Sequence, residues 1–137
     1  MISIEDHKNK VDETVSFLKE KIKVAPSVAI ILGTGLGGLV DSIEVDTLLP
    51  YEHIPHYPRS TVPGHQGNLI FGELSGKDVA VLQGRFHYYE GYSTRELTFP
   101  LRTLSLLGAK TLVITNASGG LDSLINFIFM ILDGYHR

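Results

Sequence analysis

The residues best equipped for chemistry in this 137-residue sequence lie together in Gly84-Arg85-Phe86-His87-Tyr88-Tyr89-Glu90-Gly91-Tyr92. This stretch carries a permanent cation, a titratable ring and three phenols. Arginine offers a rigid fork of N–H donors matched to phosphate or carboxylate. Histidine adds a charge that can be switched near neutral pH. The stretch follows the apolar run Val79 to Leu82, and loops beyond buried strands are where α/β proteins commonly keep their chemistry. It reads as half of an anion-binding site.

Two further strand-like runs end in groups that suit the same ligand. Ser27 to Leu32 (SVAIIL) is short, apolar and β-rich, the pattern of a strand buried on both faces. It runs into Gly33-Thr34-Gly35-Leu36-Gly37-Gly38, where bare backbone N–H groups can close on an oxyanion and Thr34 adds a hydroxyl. Thr111 to Thr115 (TLVIT) empties into Asn116-Ala117-Ser118-Gly119-Gly120. In an open α/β sheet, ligands sit in the crevice beyond the carboxyl ends of the strands. Convergence of three such ends is a stronger signal than any one of them. Tight turns needing positive φ would account for the glycines equally well, but not for the Thr34 hydroxyl. Gly33, Gly35 and Gly38 also match G-x-G-x-x-G after a strand, so a dinucleotide-binding module is an alternative. It is the weaker one, because no clear second strand follows that ends in an acidic residue; Asp46 is only a loose candidate.

The elements that must position these groups can be read in order. Ile4, Val11, Val15, Leu18 and Ile22 fall on one face at helical spacing, which predicts an amphipathic helix over about 3–23, ended by Pro26. A short helix is expected after Gly38. From Pro50 to His65 the sequence holds four prolines and no sustained period, an irregular loop long enough to suspect a function. His53 and His56 within it read as solvated surface histidines rather than metal ligands. Arg59-Ser60-Thr61 and Pro63-Gly64-His65 are more suggestive, being polar groups on a stiffened backbone. Asn68 to Leu74 and Lys77 to Leu82 predict a hairpin about Ser75-Gly76. Thr94 to Leu107 predicts a helix with Thr94 as N-cap, Gly108 as its stop, and a kink or late start at Pro100.

Composition narrows the classes. The chain has 12 Lys and Arg against 15 Asp and Glu, a net charge of -3, so no basic face for general nucleic-acid binding is indicated. It has no cysteine, hence no disulfide and no cysteine-based zinc site, a composition compatible with the cytoplasm. The charged N-terminus lacks the apolar core of a secretory signal. The longest apolar run, Leu124 to Leu132, is far shorter than the ~20 residues of a membrane helix. A soluble domain with a real core is expected, without a membrane partner.

GTGLGG, RSTVPGHQGNLIFG, GRFHYYEGY and TNASGGL occur here in the order and spacing seen in the trimeric purine nucleoside phosphorylases, which the chain resembles from about Val24 to Leu121. The related methylthioadenosine phosphorylases share the fold but would not be expected to carry an intact GRFHYYEGY. The resemblance implies a three-layer α/β fold with a mixed sheet flanked by helices, represented by its N-terminal half. It assigns Thr34, His65, Arg85, His87 and Ala117 to phosphate, with Arg85 and His87 as the catalytic pair. Tyr89, Ala117, Ser118 and Gly119 fall to the nucleoside, Ser118 standing where many relatives have Ala. No cofactor or metal is implied, inorganic phosphate being a co-substrate. A homotrimer acting on a purine nucleoside in the cytoplasm is expected.

The implied chemistry suits these residue types. In phosphorolysis the phosphate is the nucleophile, so the protein needs none of its own. It must hold a dianion beneath an oxocarbenium-like sugar and stabilise the departing purine. The resemblance places the purine-reading residues in the second half of a chain about twice this long, and it lapses after Leu121. Residues 1–121 are thus expected to form the first half of a phosphorylase domain. The tail 122–137 is expected to be divergent, as after a frameshift or early stop, and LINFIFMIL to be aggregation-prone. An inactive or weakly active chain follows, or a non-catalytic remnant that binds phosphate or nucleoside.

Overall fold

The computed structural model describes residues 4–33, 35–59, 67–115 and 130–133. Six strands form one mixed sheet in the order β2-β3-β4-β1-β5-β6. They are β1 (Val28–Ile31), β2 (Glu44–Pro50), β3 (Asn68–Leu74), β4 (Lys77–Gln83), β5 (Thr111–Ile114) and β6 (Met130–Asp133). Among the described residues the α-helices are α1 (Ile4–Lys21), α2 (Thr94–Leu97) and α3 (Phe99–Leu107). The expected α/β fold with a mixed, helix-flanked sheet is present.

β1 lies between β4 and β5 and is parallel to both, Ile31 pairing with Leu82 on one side and Ile114 on the other. The carboxyl ends of the three strands singled out by sequence are therefore adjacent. Alternation along the strands makes two cores. Ala29, Leu69, Phe71, Ala80 and Leu82 face α1 and α3. Ile30, Ile70, Val79 and Val81 face the other way, against Leu32 and Ile43. The pattern is what a sheet covered on both faces demands. Leu104 of α3 is fully buried, so Leu104→Ala is expected to lower unfolding free energy in urea by about 2–5 kcal/mol.

Several expectations need correcting. α1 buries Val11, Val15 and Leu18 as predicted, with Ile22 partly buried, but Ile4 is 82% exposed. It sits at the helix start, beyond the reach of the core. The N-cap of α2 is Ser93, not Thr94: Glu96 N–H donates to Ser93 Oγ, and Ser93 N–H returns the bond to Glu96 Oε2. That reciprocal S-x-x-E box satisfies two end groups at once, which Thr94 has no partner to do. Pro100 does interrupt the helix, which restarts as α3 with the proline in its first turn. Gly108, at φ 131°, ends it as expected.

The segment after Gly38 forms a 3-10 helix, Gly37–Ser42, followed by a strand that sequence reading missed. β2 runs antiparallel to β3 at the sheet edge, with a bulge between Val45 and Thr47. Its signal was weak because an edge strand needs no apolar run; Glu44, Val45 and Asp46 are all exposed. This also tells against the dinucleotide module, whose phosphate loop opens a parallel βαβ unit. Asp46 instead pairs with Lys23 at 3.0 Å. At the other side, β6 is a strand not expected from sequence in residues 122–137. It pairs antiparallel with β5, Thr111 to Asp133 and Ile114 to Met130, covering that edge. No described helix is long and apolar enough to cross a membrane.

Candidate active site

Arg85 leaves the end of β4 and reaches across β1. Its guanidinium Nη2 donates to the main-chain carbonyl of Thr115, at the end of β5. Between them lies Gly33, just past β1. The Gly33 N–H donates to Thr115 Oγ1 at 2.7 Å, and Thr115 Oγ1 donates in turn to the Ile31 carbonyl at 3.0 Å. A Cβ on Gly33 would lie 2.5 Å from the Thr115 carbonyl oxygen and 2.7 Å from Arg85 Nη2. In the loop after β1, Gly33 is needed for close approach and Gly35, at φ 90°, for its conformational freedom. Around Gly37 and Gly38 a Cβ would meet open space. The three strand ends are thus stitched together by one arginine and one threonine.

His87 caps the short 3-10 turn Tyr88–Glu90, its N–H donating to Glu90 Oε1 at 2.8 Å. Its ring stacks on Tyr89 with centroids 4.7 Å apart and planes 13° off parallel. Tyr89 is 78% exposed. An exposed phenol lying flat on an imidazole offers an amphipathic surface two residues past Arg85 in the chain. Thr34, His65, Ala117, Ser118 and Gly119 lie outside the described residues, as do Asn116, Ser60 and Thr61.

Aromatic residues anchor the loop from below. Phe86 packs on Tyr51 at 5.1 Å and edge-on to Tyr92 at 5.9 Å. The buried Tyr51 hydroxyl donates to the Gly84 carbonyl at 2.8 Å, fixing the turn into Arg85. Tyr57, also buried, shares a 2.9 Å hydrogen bond with Thr103 of α3. The Tyr92 hydroxyl donates to the Arg59 carbonyl. The proline-rich loop is therefore no mere connector: its tyrosines are the footing of the Arg85–His87 turn. His56 bonds Glu13 at 2.7 Å and His53 lies 3.7 Å from Glu52, both on the exposed surface, as read from sequence. Among the described residues no cluster of three His, Asp or Glu side chains could hold a metal.

Burial raises the pKa of both Tyr51 and Tyr57, with Tyr57 adding to the shift at Tyr51 and the Thr103 bond opposing it at Tyr57. Folded-state values above the ordinary value near 10 make this contribution complete below about pH 10 and lost as pH rises past it. The urea midpoint should fall between pH 9 and 11, and fall less steeply in Tyr57→Phe.

Sequence reasoning missed Thr115 and Tyr51 as parts of this site. Thr115 was read as the last residue of a strand, and a hydroxyl there gives no signal until the neighbouring strand is known. Residues 27–133 match the family model described as the phosphorylase superfamily. The chain belongs to the phosphorylase superfamily.

Within that superfamily the similar proteins include purine nucleoside phosphorylases. The chain is 48% identical over 116 residues to purine nucleoside phosphorylase 1 of Geobacillus stearothermophilus, covering 85% of this chain and 42% of the relative. It is 49% identical over 110 residues to the Bos taurus purine nucleoside phosphorylase, covering 80% and 38%. Among solved structures, a Schistosoma mansoni purine nucleoside phosphorylase in complex with acetate superposes with a TM-score of 0.78 at 45% identity. That match covers 83% of this chain and 42% of the other. The chain spans about two fifths of the length of these relatives.

Proposed function

We propose that this chain serves purine nucleoside phosphorolysis, holding inorganic phosphate and the ribose of a purine nucleoside at the ends of β4, β1 and β5. A phosphate oxygen forms a bond to C1′ of the sugar as the bond from C1′ to the purine nitrogen breaks. The purine leaves with the electron pair and takes up a proton, giving a purine base and a pentose 1-phosphate. The observation that carries this reading is the junction of Arg85, Gly33 and Thr115, which ties the three strand ends together. Arg85 and His87 are the catalytic pair that grips phosphate, joined by Thr34, His65 and Ala117. Tyr89, Ala117, Ser118 and Gly119 contact the nucleoside. A purine nucleoside phosphorylase solved with ribose 1-phosphate, 45% identical, supports the product assignment. Another solved with hypoxanthine supports a purine. The reading needs no metal or cofactor, and it places the protein in the cytoplasm as a homotrimer.

A second reading is a non-catalytic remnant that binds phosphate or nucleoside without turnover. Calorimetric titration of the folded chain with phosphate, alongside an assay of inosine cleavage, decides between them. Binding with turnover well above that of His87→Ala supports the enzyme, and binding without turnover supports the remnant. Folded protein that binds no phosphate would remove both.

A further inference from the structure

The geometry points to Thr115 as a positioning residue that sets the phosphate grip, acting through Gly33 and Arg85 and not through contact with substrate. This rests on the phosphate-site reading above. Four bonds meet at this one residue. Its N–H donates to the Ile31 carbonyl at 3.0 Å, and its hydroxyl donates to that same carbonyl at 3.0 Å. The hydroxyl oxygen accepts the Gly33 N–H at 2.7 Å, and its own carbonyl accepts from Arg85 Nη2.

Each bond has a directional consequence. With its proton committed to Ile31, the Thr115 hydroxyl has its lone pairs free for the Gly33 amide, which pins the entry to the glycine loop. The carbonyl holds one edge of the guanidinium, so the fork is oriented before any anion arrives and its remaining donors are left for one. Preorganised donors cost no reorganisation when charge is bound. Valine has the same shape but neither accepts nor donates, so it loses both hydroxyl bonds while the main-chain carbonyl bond to Arg85 is kept. Serine retains both bonds.

Three proteins test this: the 137-residue chain, Thr115→Val and Thr115→Ser. Phosphate affinity is measured by calorimetry, and backbone amide exchange by NMR. Thr115→Val is expected to weaken inorganic phosphate binding about tenfold, the size of one lost hydrogen-bonding tie, and to speed Gly33 amide exchange at least tenfold. Exchange at Ile70 and Val81, inside the sheet, should stay within about twofold, and Thr115→Ser should restore both readouts. Wild-type-like phosphate affinity in Thr115→Val overturns the inference. If the natural chain binds no phosphate, the functional reading fails alone, and Gly33 exchange decides: unchanged in Thr115→Val, it overturns the latch as well. Should the valine variant not fold, the natural chain still reports, because a Gly33 amide exchanging as fast as in a free peptide overturns the latch.

Discussion

Arg85→Ala is expected to weaken phosphate binding by roughly 100-fold, the largest functional effect of any single change in the described residues. Hydrogen bonds to a charged group contribute about 1.5–3 kcal/mol, and a guanidinium aimed by an existing bond can supply them at little entropic cost. The change also frees the Thr115 carbonyl, so part of the loss comes through the β1–β5 junction. Arg85→Lys should recover only a fraction, because an ammonium cannot hold a carbonyl and an anion in one planar fork. Calorimetry at fixed ionic strength measures both variants. Unchanged affinity in Arg85→Ala would move the anion site away from the three strand ends.

Gly33→Ala is expected to be the most damaging small substitution, lowering unfolding free energy by roughly 2–4 kcal/mol and disrupting phosphate binding with it. The added methyl meets the Thr115 carbonyl, which is backbone and cannot rotate away, as well as the anchored end of Arg85. Relief requires parting β1 from β5 or releasing the arginine. Gly37→Ala and Gly38→Ala make the comparison sharp, since nothing lies within 4 Å of either added methyl. Those two should stay within about 0.5 kcal/mol of the natural chain. Urea titrations of the three variants give the ranking. A Gly33→Ala chain as stable as Gly38→Ala would show that the close approach is not there in solution.

The parts of this molecule that were legible in the sequence are those with strong local pattern. Val28 to Ile31 and Val79 to Leu82 are apolar runs between turn residues, and they form the sheet centre. Ser75-Gly76 is a two-residue turn with both φ values positive, 51° and 75°, as a hairpin of that length prefers. The site was legible as a list of strand ends, because chemistry gathers beyond buried strands, but the order of strands that brings them together was not. β2 escaped because its polar, bulged edge lacks a period. Tyr51 and Tyr57 escaped because a proline-broken loop gives no clue to which of its residues point inward, and Thr115 because the partners of its hydroxyl, Ile31 and Gly33, lie more than eighty positions away in the chain.

The Ser75-Gly76 turn has a practical meaning for anyone wishing to watch this protein bind. Arg85 lies beyond the carboxyl end of β4, whereas the turn precedes its first residue, so the full strand Lys77–Gln83 separates the two. A Cβ at Gly76 would meet nothing within 4 Å, and exposed hairpin tips are where chains best accept insertions. A fluorophore, an affinity handle or a new pair of termini placed there would ride on the most regular hairpin of the fold. It would report on the molecule from the pole opposite its chemistry.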